Sequence, residues 1–334
     1  MMKSLVSTGN RYESLPEQYK RPLSDRPNLS QVFKEAIPLI DLGCPDRAEI
    51  VRQTGEACRL YGFFQVINHG ISGASVQEIM GVTREFFHLP VEEKMKLYSV
   101  DPVKKIRLST SFNNNETAHS WRDFLRFSCY PLENFMHEWP SSPTAFKEVV
   151  SKYCTEVQEL GLQLLEYISE SLGLERKHIE KALAEEQTIV LNFYPPCPEP
   201  DLTYGIPGHT DPYALTILLP DQEVAGLQVR RAGKWIAIDP HPSAFIINLG
   251  DQIQALSNDK YKSLWHRAIV NSDKERISVA SFFSPGNNVV IRPAEQLTSN
   301  ELPAIYRDYT YGEYYKKFMS KDVDDECCLE LFRS

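Results

Sequence analysis

The chain has 334 residues, 42% of them hydrophobic and 24% charged, with 36 Lys plus Arg against 45 Asp plus Glu and a formal net charge of -9. That composition is ordinary for a globular protein and excludes collagen-like, disordered and repeat-fibre classes. The acidic balance argues against a nucleic-acid partner, and no window approaches the roughly 18 consecutive apolar residues of a membrane span. The start of the chain has no apolar signal core, so a cytoplasmic protein with no membrane and no obligate protein partner is expected. Seven cysteines, at 44, 58, 129, 154, 197, 327 and 328, are odd in number and lack C-x-x-C spacing, which predicts reduced thiols. The vicinal pair Cys327 and Cys328 follows Asp324, Asp325 and Glu326, a setting that disfavours a reactive thiolate.

In chain order, residues 37–42 form a short apolar run broken by Pro38, and residues 46–60 carry helical spacing. FFQVINHG (63–70) reads as a strand ending in a turn shaped by Asn68, His69 and Gly70, and 72–88 reads as helix again. After Ser142 and Pro143, read as N-cap and first helical residue, Phe146, Val150, Tyr153, Val157, Leu160, Leu164 and Ile168 recur at steps of three or four. This spacing predicts a long amphipathic helix ending at Gly173, followed by a shorter polar helix over 175–186.

From about 188 the period changes. TIVLNFY, ALTILL, GLQVRR, KWIAID, AFIINLG, LWHRAIV, RISVASFF and NVVIRP are short β-rich runs separated by Gly, Pro, Asn and Asp, with a hairpin turn at Ala232 and Gly233. Short strands after a helical half predict an α+β chain. Its double-stranded β-helix, or jelly-roll, core spans 186–290, and the N-terminal helices of 35–145 pack on one sheet. Residues 295–334 form a C-terminal helical segment, and the whole 1–334 is read as a single unit.

His209 and Asp211 stand at i and i+2 just before ALTILL, and in extended backbone they point to one face. About one such His-x-acid pair is expected by chance in a chain of this make-up. A second, His178 and Glu180, lies in a helical stretch where residues two apart diverge around the axis and cannot chelate. What lifts the first pair is His266 in a later strand, the third vertex of a two-His, one-carboxylate Fe(II) site. Ten residues on, Arg276 and Ser278 share a strand face and offer a guanidinium fork and a hydroxyl, a match for the far carboxylate of 2-oxoglutarate.

Together these motifs resemble the plant 2-oxoglutarate/Fe(II)-dependent dioxygenases. NFYPPCP (192–198) is similar to that family's N-x-Y-P-x-C motif, and FFQVINHGI (63–71) and FFHLPVEEK (86–94) to its N-terminal region. The resemblance implies that Tyr194 bonds the 2-oxoglutarate carboxylate beside Arg276 and Ser278, with Asn192 in the same cavity. It also implies O2 as oxidant and ascorbate as the reductant used in vitro, while His69 has no metal role. Within the family, RLSTSFN (107–113), WRDFLR (121–126), DQIQALSN (251–258) and YYKKF (314–318) resemble the salicylate hydroxylase clade, also known as downy-mildew-susceptibility oxygenases, some of which are flavone synthases. That likeness implies a substrate pocket formed by Ser111, Asn113, Phe124, Arg126, Val190, Phe282 and Ser284, with Tyr213 where Asn is usual. Arg126 would hold a benzoate carboxylate, or else pair with Asp123 or another acid.

Salicylate hydroxylation to 2,5- or 2,3-dihydroxybenzoate, with succinate and CO2 as co-products, is therefore the expected activity. Flavone synthesis or flavanone hydroxylation on a naringenin-like ring is the alternative. A non-catalytic small-molecule sensor on the same scaffold is disfavoured, because the metal and co-substrate motifs are complete.

Overall fold

The protein is described from a computed structural model covering residues 5–8, 12–110, 118–320 and 328–334; Ser111, Asn113 and Cys327 lie outside the described residues. Fifteen strands are present among them: β1 (Val32–Lys34), β2 (Leu39–Asp41), β3 (Phe63–Ile67), β4 (Ile106–Ser109), β5 (Asp123–Tyr130), β6 (Glu186–Tyr194), β7 (Ile206–His209), β8 (Leu215–Leu219), β9 (Leu227–Arg231), β10 (Lys234–Ala237), β11 (Phe245–Leu249), β12 (His266–Ala268), β13 (Arg276–Ser284), β14 (Val290–Ile291) and β15 (Tyr309–Thr310). The α-helices are α1 (Arg47–Leu60), α2 (Gly73–Phe87), α3 (Val91–Met95), α4 (Leu132–Phe135), α5 (Phe146–Ser171), α6 (His178–Leu183), α7 (Asp251–Leu256) and α8 (Tyr311–Ser320).

The jelly roll is built from two facing sheets. The larger runs β2-β3-β11-β8-β13-β6-β5-β4 and the smaller β1-β10-β9-β12-β7. Alternation along the larger sheet sorts its side chains by partner. Ile277, Val279 and Phe283 of β13, Ile189, Leu191 and Phe193 of β6, and Leu125 and Phe127 of β5 join the main apolar core with α2 and α5. Their neighbours Arg276, Ser278, Ala280, Phe282, Val190, Asn192, Phe124 and Arg126 point the other way, into the cavity between the sheets. A smaller apolar cluster of Phe63, Leu227, Val229, Ile236 and Ile246 fills part of the space between the sheets.

The long helix α5 approaches the sheet most closely at Gly161, where a Cβ would lie 2.1 Å from the tip of the Phe283 ring. It begins at Phe146, not at Pro143: Phe146 N–H donates to the Pro143 carbonyl in a separate turn, and Ala145 precedes the helix without a side-chain cap. The eighth jelly-roll strand also differs from expectation. NVVIRP leaves the roll as β14 and pairs with β15, whereas β7, sequence IPGH, pairs with β12. Pro and Gly give that stretch little strand propensity, so it is strand by pairing and not by composition. The hairpin at Ala232 and Gly233 is present, with φ of 47° and 78°, and Asn68 (51°) and Gly70 (85°) make the turn after β3. Cys44, Cys58, Cys129, Cys154 and Cys197 are free thiols. Among the described residues no helix is long and apolar enough to cross a membrane.

Candidate active site

His209 ends β7 and His266 opens β12, and the two are register partners across the smaller sheet. Asp211 follows two residues after His209, in the turn leading to β8. Ligand atoms of the three lie within 4.8 Å of one another, with both imidazole Nε2 atoms facing Asp211 Oδ1 at 3.7 Å (His209) and 3.6 Å (His266). Each Nδ1 meets a backbone carbonyl, Pro207 O at 2.9 Å and Leu264 O at 3.1 Å. A carbonyl only accepts, so Nδ1 carries the proton and Nε2 keeps its lone pair. The other carboxylate oxygen, Asp211 Oδ2, accepts from Thr216 Oγ1 at 2.6 Å and from Asn248 Nδ2 at 2.7 Å, leaving Oδ1 for a ligand.

The electrostatics agree with the geometry. Burial pushes the His209 imidazole down to about 3, assisted by the His266 and Arg122 charges and opposed by Asp211. Burial alone would raise Asp211, but the two imidazoles and the Thr216 and Asn248 hydrogen bonds outweigh it and hold it below the ordinary carboxylate range. A neutral His209 imidazole and an ionised Asp211 carboxylate are protonation states that suit a metal ion.

Beside this cluster Arg276 is 4% exposed, and its Nε and Nη1 have no hydrogen-bond partner among the described residues. Its guanidinium carbon stands 4.8 Å from the Tyr194 ring centroid, and Arg276 and Tyr194 are register partners between β13 and β6. Ser278 pairs with Asn192 in the same ladder, and Asn192 Nδ2 donates to Ser278 Oγ at 3.4 Å. Gly226 packs against this arginine: a Cβ there would come within 2.9 Å of Nε. Buried donors left without acceptors are costly, and a carboxylate in the cavity would satisfy them. The donor set thus fits both an Fe(II) ion and a dicarboxylate.

Residues 185–285 match the 2OG-Fe(II) oxygenase superfamily, and residues 37–142 match the N-terminal region described as non-haem dioxygenase in morphine synthesis. Protein DOWNY MILDEW RESISTANCE 6 of Arabidopsis thaliana is 54% identical, over 99% of this chain and 99% of that protein. The chain belongs to the 2OG-Fe(II) oxygenase superfamily. Flavanone 3-dioxygenase 2 of Oryza sativa subsp. japonica is 60% identical to this oxygenase, over 97% of the chain and 95% of that protein. A crystal structure of JOX2 in complex with 2OG, Fe and JA superposes with a TM-score of 0.90 at 37% identity, covering 99% of this chain and 97% of the other. The oxygenase uses Fe(II) and 2-oxoglutarate.

Of the residues expected at the substrate, Phe124, Arg126, Val190, Tyr213 and Phe282 line the same cavity as the metal cluster. Tyr213 packs at a 34° tilt on Phe282 with centroids 4.4 Å apart and faces Tyr315 of α8 at 6.3 Å. Ser284 is not part of the lining; it is buried at the far end of β13, where it meets the Tyr311 hydroxyl. Among the described residues Arg126 pairs with no acid. Its Nη2 donates to the carbonyls of Pro102 (2.5 Å) and Lys104 (3.1 Å), while Asp123 faces away from it and accepts from Val6 N, Ser7 N and Thr110 Oγ1. His69 uses both ring nitrogens locally, on Ser243 O and on Ile71 N–H.

Sequence reasoning missed Arg107, Arg122, Thr216 and Asn248, all in the lining. Arg122 had a legible signal, since it precedes Phe124 and Arg126 at the two-residue step that shares a strand face. Thr216 and Asn248 are the polar positions inside otherwise apolar strands. Arg107 needed the β4–β5 register, which sets it opposite Arg126.

Proposed function

We propose that this oxygenase hydroxylates salicylate on its ring to 2,5- or 2,3-dihydroxybenzoate. The observation that carries this reading is the charge of the cavity. Among the described residues its lining holds Arg107, Arg122, Arg126, Arg267 and Arg276 against a single carboxylate, Asp211, with Phe124, Phe282 and Tyr213 among its walls. Fe(II) would leave an excess of positive charge even after 2-oxoglutarate has bound, and an anionic aromatic ring answers both the charge and the walls.

In this reading His209 Nε2, Asp211 Oδ1 and His266 Nε2 hold the metal, and Arg276, Ser278 and Tyr194 take the far carboxylate of 2-oxoglutarate with Asn192 beside them. When bound, the metal and co-substrate supply the oxidising chemistry: one oxygen atom of O2 goes to the substrate and the other into succinate, with release of CO2. The protein's own work is orientation and exclusion of water. Phe124, Phe282 and Val190 confine the ring, Tyr213 closes the wall toward α8, and the choice of carbon 3 or 5 rests on that confinement.

A second reading, oxidation of a flavanone, is favoured by the 60% identity to a protein named Flavanone 3-dioxygenase 2. Supplying the enzyme with Fe(II), 2-oxoglutarate, ascorbate and equimolar salicylate and naringenin, and identifying products by mass spectrometry, tests the two. Dihydroxybenzoate as main product supports the first reading; apigenin or dihydrokaempferol with no dihydroxybenzoate overturns it.

A further inference from the structure

Two of the cavity's arginines carry buried guanidinium nitrogens with no hydrogen-bond partner among the described residues, Arg276 and Arg122. The other arginines of the lining are committed. Arg126 caps two carbonyls, and Arg107 bonds Ser99 O and Ser109 Oγ. Arg267 donates to Gln228 and Tyr204 and stacks on Trp235 at 4.0 Å. Arg122 is 6% exposed; its Nη1 donates to Asn192 Oδ1 at 2.9 Å, and its Nε has no acceptor.

The orphaned fork of Arg276 and the orphaned Nε of Arg122 call for two anions, and the sheet keeps them apart. Arg276 lies on β13 and Arg122 just before β5, with β6 between them, so their backbones are separated by about 10 Å, two strand spacings. One acid of 2-oxoglutarate is matched by Arg276, and the other belongs at the metal. Arg122 is then left for the substrate.

Its surroundings suit an aromatic acid. The guanidinium carbon lies 4.8 Å from the Phe124 ring centroid, so an anion held by Arg122 has an aromatic face directly beside it. The backbone at this point is fixed on both sides: Trp121 N bonds Tyr204 O and its indole bonds Pro195 O, while buried Asp123 is held by Val6, Ser7 and Thr110. A fork on so rigid a mount loses little freedom on binding.

We infer that Arg122, and not Arg126, anchors the carboxylate of the substrate, which makes the enzyme selective for aromatic monocarboxylates over neutral rings of the same shape. This rests on the cavity being the catalytic site proposed above and adds the residue that reads the substrate's charge.

The test is binding, measured by calorimetry on the full chain loaded with Mn(II) and 2-oxoglutarate, so that no turnover occurs. Salicylate is compared with salicylamide, its neutral isostere, on wild type, Arg122→Leu, Arg122→Lys and Arg126→Leu. Wild type should prefer salicylate by about a hundredfold, the scale of a desolvated charge pair. Arg122→Leu should lose that preference while keeping its affinity for 2-oxoglutarate within about threefold, and Arg122→Lys should keep part of it, having the charge without the fork. Arg126→Leu should leave the preference intact.

Three results overturn the inference: a preference that survives in Arg122→Leu, a loss of 2-oxoglutarate affinity in its place, or a preference that collapses in Arg126→Leu. The last decides the matter even if Arg122→Leu does not fold. Failure of the salicylate reading is separable, because benzoate and cinnamate are titrated in parallel. If one of them binds in an Arg122-dependent way and salicylate does not, the anchor stands and the named substrate falls. If salicylate is hydroxylated with no dependence on Arg122, the reverse holds.

Discussion

At the scale of single residues, the site is a set of side chains whose second atoms are already occupied. Asp211 gives one oxygen to Thr216 and Asn248 and keeps the other free; both histidines spend Nδ1 on a carbonyl and present Nε2. Removing such a partner leaves the ligand in place but no longer aimed. Asn248→Leu should therefore weaken Fe(II) affinity about ten- to a hundredfold with the fold retained. Competition against a colorimetric chelator checks this, and wild-type affinity in the variant would show that the hydrogen bond does not orient the carboxylate. Tyr213 acts through volume. Packed at a 34° tilt on Phe282 and 9% exposed, it walls the proposed substrate end. Tyr213→Asn should open that wall and shift the ratio of naringenin to salicylate turnover toward the larger flavanone by about tenfold or more. An unchanged product ratio in the competition assay would mean that the ring does not contact substrate.

Elements succeed or fail in the sequence according to whether their signal is local. Helix α5 is legible because its apolar stripe is its own, and the β-branched runs of β6, β8, β11 and β13 announce themselves. Strand β7 does not, because IPGH becomes a strand only by pairing with β12, and NVVIRP reads as barrel although only two of its residues pair, and with β15. The same division holds in the site. The metal cluster was legible because His209 and Asp211 stand two residues apart and His266 lies in a later β-rich run, whereas the convergence of Arg107 and Arg122 on the cavity depends on how β4 and β5 register against β6.

Where elements touch, the close fit predicts cost. Gly161 lets α5 sit against Phe283, so Gly161→Ala should destabilise the fold by about 1–3 kcal/mol, read by urea denaturation. A neutral result would place the helix farther from the sheet. At the C-terminal end Asp259 accepts from Arg333 at 3.0 Å and from Lys262 at 2.8 Å. Burial would raise this half-buried carboxylate, but Lys262, Tyr306 and Arg333 outweigh it and hold it below its usual 3.8. A depressed carboxylate adds stability above the unfolded value and loses it as pH falls through the folded one. The Cys328–Phe332 turn should thus loosen only below about pH 4, and Asp259→Asn should loosen it at neutral pH, as read by amide hydrogen exchange. Equal exchange in both proteins at pH 7 would remove the carboxylate from that role.

Across the whole molecule, a chain of net charge -9 folds around a cavity whose lining, among the described residues, carries five arginines and one aspartate. Holding that much positive charge out of water opposes folding, and ligands that bring the opposite charge would offset it. In the proposed site the ligands would also join the two sheets: His209 and His266 come from the smaller one, Arg276 and Ser278 from the larger. Binding should therefore stabilise the fold as a unit. At a hundred times its dissociation constant each ligand adds about 2.7 kcal/mol, so Tm should rise once with Fe(II) under anaerobic conditions, rise again with 2-oxoglutarate, and return to the apo value with a chelator. Arg276→Leu separates the two increments. It should keep the metal increment and lose most of the co-substrate's, and its apo form should be at least as stable as wild-type apo, because buried donors without acceptors have been removed. A co-substrate increment that survives in Arg276→Leu would assign the far carboxylate to another residue. An apo Tm well below wild type would show that Arg276 supports the fold in its own right.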